Sequence, residues 1–142
     1  LCFYHDDRQP TPNAFSSLQS VLDQTDILIG HNLKFDLGWL RECGFIYTGK
    51  LFDTMVAEYI LLRGQKQSLS LDECCKRRGI AGKNKERLDP FLKDNVSFES
   101  IPWDVVEEYG KTDVDITSTL AHKQLEDFGV DSFDKYLAGI FV

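Results

Sequence analysis

The chain has 142 residues, 42% of them hydrophobic, enough for one substantial core and too few for two ordinary domains, so a single domain over residues 1–142 is expected. Apolar runs such as Ile27 to Ile29 and Tyr59 to Leu62 fall far short of the roughly 20 residues a membrane helix needs, and no signal-peptide pattern opens the chain. Cys2, Cys43, Cys74 and Cys75 show neither C-x-x-C spacing nor nearby histidines, a pattern that gives no zinc site and predicts free thiols in a soluble, cytoplasmic protein without a membrane partner.

A net charge of −7 argues against a general nucleic-acid coat protein, which needs clustered lysine and arginine. The charge is unevenly spread. Residues 76–93 hold seven basic residues against two acidic ones, a local +5, whereas from Asp94 onward eleven acidic residues face three lysines, a local −8. That asymmetry suits an acidic cation site beside a phosphate-contacting loop, and a solvated charged loop explains it equally well.

In chain order, Leu1 to His5 reads as a strand with no turn or polar lead-in before it, and Gln9 to Asn13 as a turn. Phe15, Leu18, Val21 and Leu22 recur at helical spacing, and Ile27 to Ile29 forms a short buried strand ended by Gly30. Asn32 is placed to cap a helix from Leu33 to about Cys43, stopped by Gly44. A strand near Leu51 and Phe52 follows, then a helix capped by Asp53 and running to about Leu62. Ser70-Leu71-Asp72-Glu73 is a capping box for a helix ending at Gly79, and residues 80–100 read as a basic loop. Ser100 and Pro102 open a long helix stopped by Gly129. Two or three strands for at least five helices imply an α/β domain with parallel strands and further strand-rich sequence upstream of Leu1.

Leu33, Leu37 and Leu40 form one stripe of the helix after Asn32, and Asp36 falls on its edge, partly desolvated. A carboxylate there needs a cation, strong hydrogen bonds or a raised pKa, or else rotates to water. On the long helix Tyr109, Ile116 and Leu120 define the apolar face, Asp113 projects from its middle and Asp115 points away. Asp113 is the functional candidate, with a structurally satisfied buried carboxylate as the other reading. Tyr109, one turn earlier, reaches the same site or simply packs. Aspartates converging from separate helices are oxygen donors of the type a hard divalent cation takes.

Read together, HNLKFD (His31 to Asp36) and YGKTD (Tyr109 to Asp113) resemble the second and third exonuclease motifs of the DEDD (DnaQ-like) superfamily. The tyrosine four residues before the last aspartate resembles its tyrosine-type branch, which includes the proofreading domains of family A DNA polymerases and the ribonuclease D group. The intervening LFDTMVAEYILL (Leu51 to Leu62) and SLSLDECC (Ser68 to Cys75) also look like the polymerase I exonuclease domain, so the likeness spans roughly Asp26 to Leu125.

The resemblance implies a ribonuclease H-like mixed sheet flanked by helices, and 3′→5′ removal of nucleoside monophosphates from DNA ends, as in proofreading by a polymerase. It implies Asp36 and Asp113 as metal ligands and Tyr109 as the residue that orients or helps activate the attacking water. Asn32 would shape the second motif and contact the nucleotide end, Phe35 would join the substrate set chiefly by packing, and basic residues from Lys76 and Arg77 onward would contact the backbone of a single-stranded DNA 3′ end. Two Mg²⁺ ions, with Mn²⁺ as substitute, would straddle the terminal phosphodiester roughly 4 Å apart. Asp53 matches a family position, yet a helix cap explains it as well.

One departure stands out: the first motif, Asp-x-Glu, is absent, and neither Asp6, Asp7 nor the adjacent pair Asp72-Glu73 replaces it. Other readings therefore stay open. They are an RNA 3′ exonuclease like the ribonuclease D group, a catalytically inactive nucleic-acid-binding domain with the exonuclease fold, and an unrelated α/β binding module.

Overall fold

Three β-branched or leucine side chains between Asp26 and Gly30 favour extended backbone, and they form β1 (Ile27–Gly30). Before it, Pro12 begins helix α1 (Pro12–Gln24), where its fixed φ suits a first helical position. In this computed structural model the described residues are 12–82, 86–97 and 100–140. The expected strand Leu1 to His5, Cys2, Lys83 and Lys85 lie outside them. The turn read over Gln9 to Asn13 is cut short, because α1 already includes Pro12 and Asn13.

Helix α2 (Leu33–Glu42) carries the chain from β1 back to β2 (Lys50–Asp53), which pairs with it in parallel, Ile27 opposite Lys50 and Gly30 opposite Asp53. The register is held at one end by Lys50 N–H donating to the Asp26 carbonyl at 3.0 Å, with the Tyr47 hydroxyl donating to the Lys50 carbonyl at 2.8 Å. Helices α3 (Thr54–Leu61) and α4 (Leu71–Arg77) follow, then the short α5 (Asp89–Lys93) and the long α6 (Trp103–Phe128). Helix α7 (Phe133–Ile140) follows α6. The described residues thus form an α/β arrangement of two parallel strands and seven helices. None of these helices is long and apolar enough to cross a membrane.

Gly44 and Gly129 stop α2 and α6 as expected, at φ +90° and +71°, a region open to glycine because it lacks Cβ. The capping box at α4 forms by half. Ser70 Oγ accepts from Glu73 N–H at 3.4 Å, whereas the Glu73 carboxylate turns instead to Lys76 Nζ at 2.6 Å. Two expectations need correction. The basic loop at 80–100 contains α5, whose Leu88, at its N-cap, is buried against Ile101 and Val105. Helix α7 was not foreseen, although Phe133, Tyr136 and Leu137 repeat at helical spacing and Ser132 Oγ accepts the Lys135 N–H at 3.2 Å.

The core gathers on α6, which lies against β1, α3, α4 and α7. Phe52, Ala57, Ala121, Leu125 and Tyr136 form one cluster, with Phe133 and Tyr136 edge-on to Phe52. Leu71, Cys74, Cys75, Ile116 and Leu120 form a second, in which burial, ahead of the Glu58 charge, pushes the Cys74 thiol up to about 11. Between the two clusters Glu58 is 1% exposed. Its carboxylate accepts from Arg77 Nε at 2.9 Å, Arg78 Nη1 at 2.6 Å and Gln124 Nε2 at 2.9 Å, so the buried charge is matched.

Candidate exonuclease site

At the carboxyl end of both strands, the Asp53 carboxylate accepts three backbone N–H groups. Oδ1 takes Asn32 N–H at 3.0 Å and Met55 N–H at 2.9 Å, and Oδ2 takes Leu33 N–H at 2.8 Å. One side chain therefore caps α2 and α3 together, filling donors that helix starts leave open. Asn32 stands at the N-cap position of α2 but its side chain makes no cap bond, contrary to expectation. Its backbone is left-handed at φ 63°, a conformation asparagine tolerates better than most residues and one that recurs at functional sites. His31 anchors the same corner: Nδ1 meets Thr54 Oγ1 at 2.8 Å and Nε2 meets the Leu69 carbonyl at 2.9 Å. A carbonyl can only accept, so Nε2 carries a proton.

This corner aims α2 at α6. Asp36 and Asp113 line one cavity of about 530 Å³, together with Ile29, His31, Leu40 and Thr117. Asp113 is half-buried, with Oδ1 shut off from solvent, while Asp115 is exposed, as the helical spacing predicts. Asp36 sits on the exposed rim, yet its carboxyl end is desolvated. That burial, followed by the negative charges of Asp113 and Asp53, holds the Asp36 carboxyl above the usual carboxylate range. Carboxylates of like charge gathered against a low-dielectric wall suit an oxygen-liganded divalent cation, which reverses the repulsion. The two acids supply oxygen donors for part of such a ligand set, and among the described residues they are not joined by a third His, Cys, Asp or Glu placed to hold a metal.

Tyr109 lies one turn before Asp113 on α6, half-buried against the cluster of Leu88, Ile101 and Val105, and is not among the described residues lining the cavity. Phe35, expected chiefly to pack, is 63% exposed and meets Trp39 edge to face at 6.2 Å. In the basic segment the arginines make internal ion pairs. Arg77 donates to Glu58 and to the Ser68 carbonyl at 2.8 Å, and Arg78 pairs with Glu58 and with Asp127 at 2.9 Å. Arg87 is taken up by Asp104 at 2.6 Å and by Glu108. The Arg77 guanidinium thus balances a buried carboxylate. Lys76 remains 69% exposed at its side chain, paired with Glu73. Sequence reasoning missed the double cap of Asp53, the anchoring by His31 and the exposed ring of Trp39, of which only Trp39 carried a signal, its place four residues after Phe35.

A family model described as 3′-5′ exonuclease matches residues 2–127, so the chain belongs to the 3′-5′ exonuclease family, of the DnaQ-like type carried by DNA polymerases. Among curated proteins it is 33% identical over 113 residues to the DNA polymerase of Bacillus phage SP01, covering 76% of this chain and 12% of that protein. It is 31% identical over 118 residues to DNA polymerase I of Borreliella burgdorferi, covering 83% of this chain and 13% of that protein. The chain thus spans about an eighth of the length of these relatives. No solved structure matches it.

Proposed function

We propose that residues 1–142 act as one metal-dependent 3′→5′ exonuclease domain that removes nucleoside monophosphates from the single-stranded 3′ end of DNA. The parent protein carries a polymerase domain, and the reaction serves proofreading. The observation that carries this reading is the convergence of Asp36 and Asp113, from two separate helices, on one cavity at the end of β1 in a chain of the 3′-5′ exonuclease family. Like strands of the ribonuclease H-like mixed sheet, β1 and β2 would place the two helices through their carboxyl ends.

Asp36 and Asp113 are the residues that hold Mg²⁺, or Mn²⁺ in its place. When bound, the divalent cations supply Lewis-acid stabilisation of charge on the phosphodiester and make water acidic enough to attack near neutral pH. The chain's own residues supply placement. Asp53 and His31 fix the start of α2, and α2 sets Asp36 opposite Asp113. Asn32, its side chain unused as a cap, faces the nucleotide end, and Tyr109 orients the attacking water from the turn before Asp113. Lys76 contributes the exposed positive charge to the strand's backbone.

The test is degradation of 3′-labelled and 5′-labelled single-stranded DNA with Mg²⁺ or Mn²⁺. Loss of label from the 3′ end first, abolished by Asp113→Asn and by chelation, is expected. Binding without cleavage in both metals assigns the chain a binding role only, and faster loss on the equivalent RNA transfers the reading to RNA ends.

A further inference from the structure

Val105, Tyr109 and Asp113 follow one another on α6 at four-residue intervals, so they form one row along the helix, and Asp113 at its end lines the carboxylate cavity. Asp104 and Glu108 form the adjoining row at the same spacing. Two successive residues before α5 fasten onto these two rows. The Arg87 guanidinium donates to Asp104 at 2.6 Å and to Glu108, while Leu88, 5% exposed, is buried with Ile101 and Val105 in the cluster against which Tyr109 packs. Helix α5 holds Leu88 from behind, since Phe91 N–H donates to the Leu88 carbonyl at 3.0 Å. A tyrosine has an apolar body and a polar tip, so apolar neighbours that brace the body also restrict where the hydroxyl can swing.

Resting on the role proposed for Tyr109 in the exonuclease reaction, we infer that Leu88 is a positioning residue for that reaction. It braces the Tyr109 ring one turn before Asp113, and Arg87 locks the brace onto α6. Leu88 is buried, so its influence on the reacting atoms passes through Tyr109. Without the brace the tyrosine samples further rotamers, and its hydroxyl stands beside the attacking water for only part of the time. The loss then falls on the rate of the bound complex and not on the binding of DNA.

The test is a double-mutant cycle in single-turnover cleavage of a 3′-labelled single strand with Mg²⁺ or Mn²⁺, together with fluorine NMR spectra of the 3-fluorotyrosine-labelled chain in EDTA. Leu88→Ala is expected to lower the maximal rate about tenfold without changing the DNA concentration that gives half of it, and Leu88→Met to keep most of the rate. In a chain already carrying Tyr109→Phe, Leu88→Ala should cost less than about twofold, because the hydroxyl it positions is gone. In the spectra, Leu88→Ala should move the Tyr109 resonance, identified by its loss in Tyr109→Phe, toward that of free tyrosine. The Tyr136 resonance, from the separate cluster around Phe52, should stay in place and so report an intact fold. If it does not, Arg87→Ala, which loosens the brace from the surface, replaces Leu88→Ala in both measurements. An equal loss with and without the Tyr109 hydroxyl overturns the positioning role, because a general weakening of α6 acts regardless of that group. A Tyr109 resonance that stays in place overturns it too. A wild type that cleaves, yet is indifferent to Tyr109→Phe, sinks the brace and leaves the exonuclease standing, whereas a wild type that cleaves with neither metal removes both readings.

Discussion

The Asp53 carboxylate serves Asn32, Leu33 and Met55 at once, and so ties β2 to the start of the helix that carries Asp36. A single N-cap contributes about 1 kcal/mol, and two helices lose their cap together here, so Asp53→Ala should cost about 2–3 kcal/mol in urea denaturation. A cost of less than about 1 kcal/mol would show that water replaces the carboxylate. Asp36 itself has a different signature. Removal of groups that merely support a metal ligand typically costs 10–100-fold, so Asp36→Asn, which removes a proposed ligand, should lower metal-dependent cleavage by about a hundredfold or more. Single-turnover rates measure this, and an unchanged rate would take Asp36 out of the metal site.

At the scale of elements, the segment from Leu88 through α5 is held on the first turns of α6 by Arg87, which pairs with Asp104 and Glu108. Beneath that clamp Leu88, Ile101 and Val105 form the small cluster on which Tyr109 packs, so the clamp also seats a proposed catalytic side chain. The Arg87 hydrogen bond, ahead of its charge, holds the Asp104 carboxyl below the usual carboxylate range. A depressed acid stabilises the fold above its unfolded pKa, near 3.9, and that contribution is lost as pH falls through the still lower folded value. Arg87→Ala should therefore lower the melting temperature slightly at pH 7, and the gap between variant and wild type should persist to about pH 4 and close below it. High salt should narrow it at any pH, because all three side chains are more than half exposed.

Across the whole molecule, Glu58 joins α3 to α4 through Arg77 and Arg78 and to α6 through Gln124. Removing one partner of a buried ion pair leaves the other uncompensated, so Glu58→Ala should destabilise the chain by about 3–5 kcal/mol in urea. Restoring native stability by the further change Arg78→Met would show that the penalty is the stranded charge. This network explains the charge asymmetry of the chain. In the basic segment Arg77, Arg78 and Arg87 neutralise acids of α3 and α6.

The sequence alone determined what short-range physics and helical periodicity can carry. Ile27 to Ile29 as a strand, Asp53 as a cap, Gly44 and Gly129 as helix stops, and Asp113 turned inward while Asp115 faces out were legible from residue type and spacing. HNLKFD and YGKTD, quoted in order, pointed to the family that the comparison with known proteins then showed. Tertiary structure decided whatever depends on a partner distant in sequence. Asn32 makes no cap bond of its own, and Asp53, twenty-one residues on, instead holds the start of α2 by accepting the Asn32 and Leu33 N–H groups. Arg77 turns its guanidinium inward to Glu58, nineteen residues away and buried. Asp36 and Asp113 face one cavity only because β1 sets α2 against α6, and a carboxylate's environment is a property of that meeting rather than of its neighbours along the chain.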